Sequence, residues 1–140
     1  MTIISSYQDL CRQVLDLNIS IRFAGVATLE GKILATQSRE GVKPLLSPQE
    51  SQLAMMQSLI RANILTAFEQ KLGKTIYSIT VCEEIKRATI SLFNQEEGNG
   101  NYYDSYLMVS FEKEANVESI INEKILPLLK KIGKGLKKTR

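Results

Sequence analysis

Hydrophobic residues recur along this chain at two different spacings, and the order in which those spacings alternate leaves few ways to fold it. Leu10, Cys11, Val14, Leu15 and Leu17 fall at helical intervals, with Ser5 and Gln8 placed to cap them, so a short amphipathic helix is expected to end near Asn18. Ile19 to Leu29 is strand-forming, Glu30-Gly31 supplies a turn, and Lys32 to Ser38 returns as the second arm of a hairpin. Residues 39–46 lead to Ser47-Pro48-Gln49-Glu50, where a capping serine, a proline at the first helical position and a glutamate at the third start a helix. That helix is expected to run from Pro48 to about Leu72 and to stop at Gly73, which can take the left-handed conformation that closes many helices.

The second half returns to strand spacing. Thr75 to Cys82 places Tyr77, Ile79 and Val81 on one side and Ser78 and Thr80 on the other, and Glu83-Glu84 turns it into a strand from Ile85 to Phe93. In that strand Ala88, Ile90 and Leu92 face one way, and Arg87, Thr89 and Ser91 the other. Residues 94–104 have the polar, glycine-containing composition of a mobile loop, and Tyr106 to Glu112 supplies a fifth strand. Asn116 caps a last helix, which Pro127 is expected to kink by removing one amide donor, and the final residues "KGLKKTR" are expected to fray. Five strands joined mostly by short turns make an antiparallel meander with helices on its faces, an α+β domain in the order α-β-β-α-β-β-β-α. With 140 residues and no internal repeat, the expectation is one domain over residues 1–133 and a basic tail over 134–140.

Several kinds of chemistry lack their reagents. There is no histidine, so neither Ser-His-Asp nor Cys-His catalysis can be assembled, and no Gly-rich phosphate loop occurs. The acidic pairs Glu83-Glu84 and Glu96-Glu97 both fall in turns, as solvated charges do. Cys11 and Cys82 show no metal-binding spacing and read as buried, reduced thiols. The expectation is a protein that is not an enzyme, with no metal or cofactor. No leader pattern or membrane-length apolar run is visible, which points to the cytoplasm.

Three groups of residues stand out as candidate sites. On the long helix, Leu53, Met56, Ile60, Ile64, Ala67 and Phe68 share one face, expected to meet the core, while Met55, Leu59 and Ala62 form a smaller stripe opposite. That smaller stripe is read either as a partner-binding surface or as covered by the first helix or the tail. The arginines Arg22, Arg39, Arg61 and Arg87 form the second group. A two-residue turn at Glu30-Gly31 would set Arg22 against Arg39, so either Glu40 or Glu50 neutralises them or they form an anion-binding patch. The third group is the C-terminal cluster. Residues 124–140 carry seven basic residues and no acid, whereas residues 1–123 hold 15 acids against 11 bases. Lys130, Lys131, Lys134, Lys137 and Lys138, with their neighbours, complement a helix C-terminus, contact an anionic membrane or contact nucleic acid non-specifically.

The element order, and the hairpin "FAGVATLEGKILATQ" ahead of a long helix, resemble the roadblock domain among the profilin-like folds. More closely, "IRFAGV" at 21–26, "REGV" at 39–42, Arg61, "LGK" at 72–74, "IKRATI" at 85–90 and "LMVSFE" at 107–112 resemble a family of small proteins from ammonia-oxidising archaea. That second resemblance spans about residues 7–129 and brings no function with it. The roadblock resemblance implies a non-catalytic homodimer or heterodimer, pairing through sheet edges and the long helix and contacting a small GTPase or a larger scaffold. A small-ligand or anion sensor of profilin-like or PAS-like type, using the sheet face and the four arginines, is the alternative.

Overall fold

A computed structural model of the chain describes residues 6–92 and 105–137, with side chains to residue 131. Helix α1 spans Tyr7–Asp16 and leads into strands β1 (Ile21–Thr28) and β2 (Ile33–Ser38). The long helix α2 (Pro48–Leu65) continues through a 3-10 turn, Thr66–Phe68, into a short α3 (Glu69–Leu72). Strands β3 (Tyr77–Val81), β4 (Ile85–Leu92) and β5 (Ser105–Glu112) follow. The chain then enters α4 (Val117–Ile120), a π turn over Ile121–Ile125, and α5 (Leu126–Lys137). All five strands join one antiparallel sheet in the order β2-β1-β5-β4-β3, so the expected α+β architecture is observed but the expected meander is not: β5 pairs between β1 and β4, and β2 and β3 lie at opposite edges, joined by the long helix.

The two sheet faces carry unequal cores. Leu10, Val14 and Leu15 of α1, and Ile120, Ile121 and Ile125 of the C-terminal helical segment, bury Ala24, Val26, Ile90, Leu107, Val109 and Phe111 on one face. This is the main core, and Cys11 is fully buried within it. On the other face the core is smaller, with Leu59 of α2 over Ala27, Tyr106 and Met108.

Local chemistry accounts for the departures from sequence expectation. Helix α1 is capped by Ser6, whose hydroxyl accepts from the Asp9 amide at 3.2 Å, while Ser5 lies outside the described residues. Gln8 does not reach back to the cap; its amide donates to the Thr36 carbonyl of β2 at 2.8 Å and ties helix to strand. Strand β1 begins at Ile21 because Asn18 Oδ1 accepts from the Ser20 amide at 2.9 Å and hydroxyl at 2.7 Å, a side-chain turn that leaves Ile19 in solvent. The Ser47 capping box forms with both bonds present, but α2 ends at Leu65, where the Thr66 hydroxyl donates to the Asn63 carbonyl at 2.6 Å and the helix tightens to 3-10 geometry. Gly73 closes the segment at φ 86°. Pro127 sits just after the π turn, whose wider geometry accommodates the missing amide donor, and α5 runs on through the expected tail boundary to Lys137.

The β1–β2 hairpin reaches its predicted register by an unpredicted route. The Gly31 amide donates to the Thr28 carbonyl at 3.0 Å and the Thr28 amide to the Lys32 carbonyl at 2.9 Å, which makes a three-residue loop with Gly31 at φ 96°. That loop shifts the register by one residue at the tip. A bulge between Val26 and Ala27, with Leu34 as the extra residue on β2, shifts it back. Phe23 therefore faces Ser38, and the Arg39 amide donates to the Arg22 carbonyl at 2.9 Å, so Arg22 does stand opposite Arg39.

Candidate functional site

The two faces of α2 are exchanged relative to the sequence expectation. Leu59 is buried against the sheet, and Met55 and Ala62 pack partly buried beside it, so these three residues form the helix's inner face and not a free partner surface. Leu53, Met56, Ile60, Ile64 and Phe68 point outward and keep between 52% and 62% of their surface exposed. Ser51, Ala54 and Ser58 recur at helical spacing along the side of α2 that faces the sheet and line the space left beneath it, so this side carries little bulk and the larger side chains stay outside. This run of small residues was the available sequence signal for which face turns inward.

Arg61 of α2 donates to the Thr80 hydroxyl of β3 at 3.0 Å, which brings the exposed stripe alongside the edge of the sheet. Ile76, just before β3, is 53% exposed and by alternation lies on the α2 face with Ser78 and Thr80, whereas Val81, 68% exposed, lies on the other face with Tyr77 and Ile79. Strand β3, five residues at the sheet edge, carries neither a charge nor a proline, two of the usual devices that block strand addition. At the opposite edge, β2 has one carbonyl occupied by Gln8 and is packed by α1. The unblocked edge and the unburied helix face thus lie together.

The four arginines do not form one patch. Arg22 donates from Nη1 to both Glu112 oxygens, at 3.2 and 3.1 Å, and from Nη2 to the Lys43 carbonyl at 2.7 Å. Its neutralising acid is therefore Glu112, brought beside it by the pairing of β1 with β5, and not Glu40 or Glu50; Glu50 belongs to the capping box. Arg39 donates to the carbonyls of Ile21 at 2.7 Å, Asn18 at 2.9 Å and Leu15. It closes the C-terminus of α1, where a cation is favoured. Arg61 is exposed on α2. Arg87 lies with Arg22 at a cavity between α2 and the sheet.

Cys82 is exposed, against the expectation of a buried thiol, because β3 is an edge strand and Cys82 enters the turn to β4, its amide donating to the Ile85 carbonyl at 2.9 Å. Burial pushes the Cys11 thiol up from 9.0 to about 11. Lys130 and Lys131 are exposed on α5; Lys134 and Lys137 lie on its backbone beyond the described side chains, and Lys138, like the 94–104 loop, lies outside the described residues. Among the described residues, no group of His, Cys, Asp or Glu is placed to hold a metal, and no helix is long and apolar enough to cross a membrane.

A five-stranded antiparallel sheet with a long helix on one face and terminal helices on the other is the architecture of Roadblock/LC7 domains. A Roadblock/LC7 domain from Streptomyces avermitilis matches over 94% of this chain and 98% of its own, with a TM-score of 0.67 and 11% identity. MglB in a tetrameric arrangement matches over 100% of this chain and 96% of its own, with a TM-score of 0.71 and 12% identity. The gliding protein MglB from Thermus thermophilus matches over 95% and 87%, with a TM-score of 0.62 and 13% identity. At these identities the likeness is one of fold. No family model and no curated protein matches the sequence.

Proposed function

We propose that this chain is a non-catalytic, dimerising protein-interaction module of roadblock type, and that a second copy of the chain docks on the outer face of α2 and the β3 edge. The observation that carries this reading is the exposed stripe of Leu53, Met56, Ile60, Ile64 and Phe68 beside an unblocked strand edge. Large apolar side chains aligned on one helix face mark an interaction surface, and covering each contributes roughly 1–2 kcal/mol. The same patch on two copies is self-complementary about a two-fold axis, with α2 against α2 and β3 against β3. MglB, of the same fold, is known in a tetrameric arrangement, which supports reading this face as one that assembles. A role in regulating or scaffolding a small GTPase, the kinship with the archaeal proteins and the cytoplasmic location belong to this proposal on the sequence resemblance.

Sedimentation equilibrium tests it. The full chain is expected to be a dimer, and the Ile60→Asp, Ile64→Asp double variant a monomer with an unchanged circular dichroism spectrum, because each aspartate would have to be desolvated at the centre of the interface. A wild-type chain that stays monomeric at high concentration overturns the proposal.

A further inference from the structure

The inner side of α2 covers the sheet incompletely. Between its N-terminal half, the 39–46 connection and the sheet lies a cavity of about 340 Å³, within the range of small-molecule sites. Its floor is a row of paired residues across four strands: Arg87 of β4 faces Ser110 of β5, Ser110 faces Phe23 of β1, and Phe23 faces Ser38 of β2. The rest of its lining is mostly apolar, including Met55 of α2, Met108 of β5 and Leu45 and Leu46 of the connection. The Phe23 ring takes the space over Gly25, where an added Cβ would come within 2.9 Å of it.

Charge selects the occupant. Among the described residues, no acidic side chain lines the cavity. Arg22 is already neutralised by Glu112, whereas the Arg87 guanidinium makes no hydrogen bond or ion pair with any described residue, and Arg87 is only partly exposed. A guanidinium drawn out of water without an acceptor is costly, and an anion that supplies one recovers that cost. One unmatched positive charge beside an apolar space calls for one negative charge on an apolar body, and the planar guanidinium fork fits a carboxylate with two bonds. We propose that this cavity binds a small amphipathic carboxylate, its carboxyl group on Arg87 and its apolar part against Phe23, Met55 and Met108. The site lies on the inner side of α2 and does not rest on the dimer.

Amide-resolved NMR titration of the full chain tests it, with phenylacetate and hexanoate as probes, benzyl alcohol as the uncharged counterpart and inorganic phosphate as the simple anion. The acids are expected to shift the amides of Phe23, Met55 and Arg87, and Arg87→Gln to weaken their binding about tenfold while benzyl alcohol binds both proteins alike. Ala54→Phe, which fills the space from the helix side, is expected to abolish the shifts. Neither acid shifting those amides, equal affinity in Arg87→Gln, or phosphate producing the same shifts with the same affinity would each overturn the proposal. The Ile60→Asp, Ile64→Asp variant is expected to bind the acids as wild type does, so a failed dimer and a failed ligand site give different results.

Discussion

Arg39 commits its guanidinium to three backbone carbonyls, those of Leu15 and Asn18 at the end of α1 and of Ile21 at the start of β1. Part-buried charge-assisted bonds are worth more than exposed ones, so Arg39→Gln is expected to lower stability by about 2 kcal/mol. Arg61→Ala, which removes one exposed bond to Thr80, is expected to cost less than about 0.5 kcal/mol. Urea denaturation midpoints of the two variants check both figures, and equal losses would contradict the distinction. The sequence shows that arginines sit at these positions and, through the hairpin spacing, that Arg22 opposes Arg39. It cannot show that Glu112 neutralises Arg22, because those residues are 90 positions apart and meet only through β1–β5 pairing.

At the scale of elements, α2 shows how far periodicity reaches. Residues at helical spacing define two apolar stripes, but hydrophobicity alone favours the bulkier one as the core face, and the structure buries the other. Leu59, with Met55 and Ala62 beside it, covers Ala27, Tyr106 and Met108, and the bulkier stripe of Leu53, Ile60 and Phe68 is left outside. The expected consequence is a difference in kind between neighbouring positions. Leu59→Ala opens a cavity in the smaller core and is expected to cost about 2–4 kcal/mol at every protein concentration. Ile60→Ala acts on the assembled form, so its effect on the thermal midpoint is expected to grow with protein concentration and vanish on dilution. A concentration series of melting curves separates the two. The capping box at Ser47 and the closure at Gly73 were legible in the sequence, whereas the 3-10 break at Thr66 depends on one hydroxyl–carbonyl bond that no local pattern announces.

For the whole molecule, ionisation links stability to alkaline pH. Cys11 is held up to about 11 by burial, and Tyr106 is raised by burial and by the nearby charge of Glu69. Both groups keep their protons to higher pH when folded than when unfolded, so their contribution is intact below the ordinary thiol value and is lost as pH rises from 9.0 towards about 11. Urea titrations across that window are expected to show stability falling with pH, with a shallower slope for Cys11→Ala; an unchanged slope would contradict the assignment. The strand count, the two hairpins and the presence of helices were readable because alternation and turn residues repeat along the chain, whereas the central pairing of β1 with β5, which replaces the expected meander, joins segments far apart in sequence. The cavity was not, since it is the space left where a connection, a helix and four strands fail to meet. The hairpin adds a consequence for descent. Its three-residue loop and the bulge at Leu34 together use as many residues as a two-residue loop with no bulge, which is why the register beyond the bulge matches the simpler hairpin. Because Ala27 pairs with Ile33 and Val26 with Ala35, deleting Leu34 alone would straighten the strand and still leave Arg39 on the end of α1, so a lineage can lose the bulge without losing that contact.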